Sequence, residues 1–134
     1  MASDMAHSEA GVVSKSSPRS VADTVSALEN MIAAKGMELF AVIDQTAAAS
    51  KAGLTLRDTV LVVFGNPAAG TIVMQAAPLA ALDLPLKVLI WDDNGQTKVT
   101  YYAPAALAAR HELNSDLEAK LAGIDPLTDA LVAS

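Results

Sequence analysis

Cysteine is missing from this chain altogether, which removes disulfides, thiolate metal sites, iron–sulfur clusters and a cysteine nucleophile. Aromatic residues are nearly as scarce, one Trp, two Tyr and two Phe in 134 residues, so any core is built from alanine and branched aliphatics. Bases are outnumbered, 9 Lys and Arg against 15 Asp and Glu, for a net charge of −6. Phosphate backbones and anionic bilayers need a basic stripe, and here the bases are scattered. Neither nucleic acid nor a membrane surface is the expected partner. Long apolar runs are absent too. The most apolar stretch, Thr71 to Leu82, is interrupted by Gln75 and Pro78, well short of the roughly 18 residues of a membrane span. Met1 to Ala10 carries Asp4, His7 and Glu9 and no apolar leader pattern. The expectation is a cytoplasmic chain with a disordered tail over residues 1–9 and a single domain over 10–134.

What is present is a clear alternation of strands and helices. Gly11 to Ser16 reads as a first strand, broken by Ser17-Pro18. Ser20 stands three residues before Asp23, an acidic form of the capping box, and Val21, Val25, Leu28 and Ile32 follow as one helical stripe. Gly36 after Lys35 supplies the helix stop. Met37 to Ile43 reads as a strand, and Asp44 caps a short helix closed by Gly53. Asp83-Leu84-Pro85 links to a strand over Leu86 to Asp92. Asn94-Gly95 is a strong two-residue hairpin signal, pairing Asp93 with Gln96, Ile90 with Val99 and Val88 with Tyr101. That register puts Val88, Ile90, Val99 and Tyr101 on one face and Leu89, Trp91, Lys98, Thr100 and Tyr102 on the other. Lys98 opposite Trp91 suits a cation–π contact. Pro104 opens a helix that Asn114 interrupts, and Asp125-Pro126 starts a last helix ending near Val132.

The most informative run is Thr59-Val-Leu-Val-Val-Phe64 feeding Gly65-Asn66-Pro67, then Gly70-Thr71. A buried strand enters a helix with Asn66 as N-cap and Pro67 at the first helical position, continuing to about Ala77. Backbone N–H groups at such a start can hold an anion. The two-glycine spacing is that of a phosphate-binding loop, but Thr71 stands where its lysine belongs and Ile72 where its Ser/Thr belongs, so nucleotide hydrolysis is not expected.

These segments resemble a known family. Leu61-Val-Val-Phe-Gly-Asn-Pro67, Gly70-Thr71, Met74 and Ala81-Leu-Asp-Leu-Pro-Leu86, with the strand after them, are similar to domain-of-unknown-function family 302. The Ser20-Val21…Thr24…Leu28 helix, Lys35-Gly36 and Ala49…Lys51-Ala52-Gly53-Leu54 look like it as well. The likeness runs from about Gly11 to Ile124. It implies a small α+β domain with a mostly antiparallel sheet, helices mainly on one face, a TATA-box-binding-protein-like topology and frequent dimers; the β-α-β-α-β-α-β-β-α order read along the chain is matched to that topology. It implies no activity. Members often have a histidine after the aspartate that opens the second helix; here Gln45 follows Asp44, so no histidine-dependent role carries over at that point.

Other candidates have plain readings. Asp92-Asp93-Asn94-Gly95 enters a strand and lacks the ligand spacing of a calcium loop. His7 in the tail and His111 beside Arg110 and Glu112 make a poor metal pair, and a solvated His111 is expected. Asp44 and Asp83 read as caps or turn formers, and Met31, Met37 and Met74 as core filler. No catalytic residue, metal site or cofactor is expected. The functional content lies in the strands. Leu39 to Ile43 and Val60 to Phe64 are apolar at both parities, so the sheet has a second apolar face that needs a cover. One cover is a second copy of the chain, with Leu89 and Trp91 in the interface of a homodimer that acts as a binding or interaction module. The other is a small-molecule or anionic ligand held at Gly65, Asn66, Gly70 and Thr71.

Overall fold

The computed structural model describes residues 11–133, and the tail expected over residues 1–9, His7 included, lies outside them. The order of elements is β1 Val12–Ser17, α1 Val21–Ala34, β2 Glu38–Asp44, α2 Gln45–Lys51, β3 Thr59–Gly65, α3 Pro67–Ala76, β4 Leu86–Asp93, β5 Gln96–Tyr102, α4 Pro104–His111, α5 Ser115–Ala119 and α6 Ile124–Val132. A 3-10 helix, Pro78–Leu82, fills part of the link between α3 and β4. The architecture is α+β, as the family resemblance implied.

Local chemistry explains the helix limits. Ser20 accepts a hydrogen bond from the Asp23 N–H at 3.0 Å, satisfying a donor that the first turn of α1 leaves free. At the other end the Gly36 N–H reaches the Ala33 carbonyl and the Met37 N–H reaches the Ile32 carbonyl. That is a Schellman motif, and Gly36 at φ 70° supplies its left-handed residue. Asp44 caps α2 through the Ala47 N–H. Asn114 does interrupt the C-terminal helical region: its side chain accepts from the Leu117 N–H and starts α5.

All five strands pair antiparallel in the order β1-β5-β4-β3-β2. The hairpin has the expected register, Ile90 opposite Val99 and Asp93 opposite Gln96. One face carries Val13, Val62, Phe64, Val88, Ile90, Val99 and Tyr101, all buried. Leu28 and Ile32 of α1 and Ile124, Leu127 and Leu131 of α6 complete that core. Lys15 also points to this side, where its Nζ meets Thr128 Oγ1 at 2.7 Å and Asp129 at 2.8 Å, beside the Tyr101 ring. A second cluster of Val73, Ala80, Leu107 and Leu121 ties α3, the 3-10 helix and α4 to the chain after α5.

The opposite face is different. α1 lies against β2, β3 and β4, α6 against β1 and α2 against β3, while the remaining helices touch the strands only in isolated places. Ala41, Ile43, Leu61, Val63, Leu89 and Trp91 share that face by register, and Ile43 is 40% exposed. Its other half, on β5 and β1, is polar: Ser14 and Thr100 are bonded to each other, and Lys98 donates to Ser16. The expected cation–π contact between Lys98 and Trp91 is therefore not made. A hydroxyl across the strand attracts the ammonium more directly than an indole face does, and Trp91 turns its Nε1–H to Thr100 at 2.9 Å. No helix among the described residues is long and apolar enough to cross a membrane.

Candidate functional site

Beyond the end of the sheet where β3 runs into α3, the chain encloses a cleft of about 820 Å³. Four separate stretches build it. The end of α1 and the start of β2 bring Lys35, Met37 and Phe40. Phe40 is the extra residue of a β-bulge, since Leu39 pairs with Phe64 and Ala41 with Val63. A bulge turns one side chain away from the alternation of its strand, and here that side chain lines the cleft. The turn from β3 into α3 brings Phe64, Gly65, Asn66 and, one helical turn later, Gly70, Thr71 and Met74. Leu84, Pro85 and Leu86 form a wall, and Lys120, Leu121, Ile124 and Leu127 close the remaining side.

All four residues singled out for a ligand, Gly65, Asn66, Gly70 and Thr71, line this one cleft. The way they contribute differs from the expectation of a backbone anion site. Asn66 Oδ1 accepts from the Ala68 N–H at 3.0 Å and the Ala69 N–H at 3.2 Å, and the Gly70 N–H is bonded to the Asn66 carbonyl. Pro67 has no N–H to offer. The donors of the first turn are thus engaged within the protein, and the turn serves as a wall of the cleft. Gly70 is not demanded by close packing: a Cβ there would meet only the Met74 methyl, at 3.9 Å.

The ionisable side chains lining the cleft are Lys35 and Lys120, and no Asp, Glu or His joins them. Met37 and Met74, read from the sequence as core filler, are part of its surface. Lys35 was legible as a charge at the end of α1, but nothing local marked it, Phe40 or Lys120 as neighbours. They meet only because α1, the bulge and the chain after α5 converge.

A charged cluster stands behind the wall. Asp83 Oδ2 lies 2.6 Å from His111 Nε2 and 2.9 Å from Arg110 Nη1. His111 is not solvated as expected, since its side chain is 9% exposed; α4 folds back and buries it against Asp83. Asp83 is correspondingly more than a turn former. Burial pushes its carboxyl up, but the bonds from His111 and Arg110 and the guanidinium charge outweigh that and hold it below the ordinary carboxylate value. Lys87 donates to the Asp83 and Pro85 carbonyls at 3.0 Å each, bracing the same segment. Burial, only partly offset by the Asp83 charge, brings the Lys87 ammonium down from its usual value. The candidate interface residues Leu89 and Trp91 lie away from the cleft, partly covered, on the face of the sheet opposite the α1 and α6 core.

Comparison with known proteins agrees with the sequence resemblance. The family described as Domain of unknown function DUF302 matches residues 13–131. The chain is 40% identical over 115 residues to a protein named Fluoride-specific ion channel FluC 1 from Brucella suis, a match that covers 84% of this chain and 45% of that protein. A similarly named Brucella abortus protein matches at 40% identity, with 43% of its length covered. The chain thus spans less than half the length of these curated relatives. A crystal structure of a DUF302 protein from Bacillus stearothermophilus superimposes with a TM-score of 0.77 at 20% identity, covering 91% of this chain and 95% of that one. At that identity it shows a shared fold.

Proposed function

The chain belongs to the DUF302 family, and from that premise we propose that it is a binding module whose cleft takes a small, largely apolar molecule. The observation that carries this reading is the 820 Å³ hollow with methionine, phenylalanine, leucine and proline walls. Its size lies within the roughly 300–1,000 Å³ of small-molecule sites, and such sites are mostly apolar with few polar groups. The channel name of the Brucella proteins belongs to chains more than twice as long as the shared segment. A fluoride ion has no apolar surface to bury, so this cleft favours a different kind of ligand. A cytoplasmic location is part of the proposal, in keeping with the acid excess.

The test is titration with an uncharged solvatochromic dye such as Nile red, on the native chain and on Gly70→Leu. The added side chain fills space beside Met74. It also replaces a helical glycine, which favours the helix by up to about 1 kcal/mol. Saturable dye binding that is lost in Gly70→Leu, with the fold intact by circular dichroism, is the expected result. A dye that binds both equally, or neither, overturns the reading.

A second reading concerns assembly and rests on a separate observation, the partly exposed apolar half of the sheet around Ile43, Leu61, Leu89 and Trp91. Under it, two copies join through these faces as a two-fold homodimer, since one self-complementary patch suffices. Sedimentation at micromolar concentration should show a dimer for the native chain and a monomer for Leu89→Glu. A native monomer sinks this second reading and leaves the cleft untouched.

A further inference from the structure

We infer that the cleft's ligand is an anionic amphiphile, a free single-chain carboxylate whose tail lies along the apolar walls and whose head meets Lys35 and Lys120. This rests on the binding reading above and names the ligand class of that same site.

The distribution of charge carries it. The chain has 15 acidic residues and 9 basic ones, yet every ionisable side chain lining the cleft is a cation. Cations elsewhere are mostly engaged: Lys15 with Asp129, Lys87 with two carbonyls, Lys98 with Ser16, Arg19 with the Leu131 carbonyl and Arg110 with Asp83. Lys35 and Lys120 are exposed, and among the described residues their ammonium groups have neither an ion pair nor a hydrogen bond. Long lysine stems lie along apolar surface while the head stays in water, which suits a cleft mouth.

The possible heads can be ranked by elementary electrostatics. A cationic amphiphile would bring a third positive charge to two ammoniums in a cleft whose lining holds no acid. A neutral one would leave both lysines without a counter-charge. A carboxylate pairs with them and leaves its chain to Met37, Phe40, Met74 and Leu86. The first turn of α3 cannot serve the head instead, because Asn66 already occupies its donors.

The experiment uses the full chain and three twelve-carbon probes below their micelle concentrations: dodecanoate, dodecanol and dodecyltrimethylammonium. Each is titrated calorimetrically and by Nile red displacement, at low and high ionic strength. Dodecanoate should bind at least about fivefold tighter than dodecanol at low salt, the order of two partly exposed ion pairs, and the margin should shrink as salt screens the lysines. The double variant Lys35→Met/Lys120→Met should erase that margin while keeping dodecanol affinity. Equal affinity for dodecanoate and dodecanol, tighter binding of the ammonium probe, or a preference that survives the double variant overturns the inference. Should Nile red bind in a Gly70-dependent way while the carboxylate preference is absent, only the ligand class fails; should the dye itself not bind, the cleft reading fails with it.

Discussion

Replacing Asp83 by Asn should loosen the wall of the cleft from behind. The native carboxylate receives two charge-assisted bonds of unequal worth. Arg110 is 45% exposed, and a pair so open to water contributes about 0.2–1 kcal/mol. His111 is buried at 2.6 Å, and a hydrogen bond to a charged group in such a setting contributes about 1.5–3 kcal/mol. Asn keeps the shape and one acceptor, so we expect a loss of about 1–2 kcal/mol for Asp83→Asn by urea denaturation at neutral pH. Most of it should vanish in a His111→Ala background, giving a coupling near 1 kcal/mol in a double-mutant cycle. The pH dependence has a definite sign. The folded carboxyl is held below its ordinary value, so its stabilisation is present above the unfolded pKa, about 3.9, and is lost as pH falls through the folded value. The gap between native and Asp83→Asn should therefore narrow as pH falls from the unfolded carboxyl's value through the lower folded one. Strict additivity with His111→Ala, or a gap that persists at the acid end, would refute this account of the latch.

Three other perturbations follow from the same geometry. Gly11 sits at φ 73°, and an added Cβ would lie 2.5 Å from Ala106 Cβ; Gly11→Ala should cost about 2–4 kcal/mol by urea melt, from left-handed strain and overpacking together, and Ala106→Gly should recover only the overpacking part. Burial lowers the Lys15 pKa, but bonds to Asp129 and Tyr101 more than reverse that, and Tyr101 is raised by burial and its bond to Asp125. Both shifts lie upward, so both contributions are complete below about pH 10 and are lost as pH rises through the folded values; Tyr101→Phe should blunt the alkaline fall in melting temperature. Asn66→Ala should cost about 1 kcal/mol as a lost cap and leave Nile red affinity unchanged, because the Asn66 oxygen is spent on Ala68 and Ala69. A loss of dye binding in that variant would return Asn66 to the ligand.

Much of the fold could be read along the chain because its signals are short-range. Ser20, Asp44 and Asn66 each cap the helix expected of them, and Gly36 and Met37 end α1 on carbonyls three and five residues before them, respectively. Asn94-Gly95 set the hairpin register, and period-two alternation then sorted Val88, Ile90, Val99 and Tyr101 onto the core face. The 3-10 helix Pro78–Leu82 escaped, since Pro-Leu-Ala-Ala-Leu has neither a cap nor an amphipathic period. His111 escaped as well. Its neighbours Arg110 and Glu112 are charged and exposed, and only the fold of α4 against the chain 28 residues earlier buries it on Asp83.

The same division runs through the site. Local spacing by itself settled the succession of strands and helices, the strand-to-helix turn at Gly65–Thr71 and the two apolar parities of β2 and β3, because hydrogen-bond capping and side-chain alternation act over a few residues; the α+β class was implied by the family resemblance. Tertiary structure alone decided that the turn faces Lys35, Phe40 and Lys120 across a cleft, that its amide donors are engaged by Asn66, and that α1 and α6 share one side of the sheet. Those outcomes depend on which surfaces close against each other in space. That closure is set by the summed burial of residues far apart along the chain, and no local pattern records it.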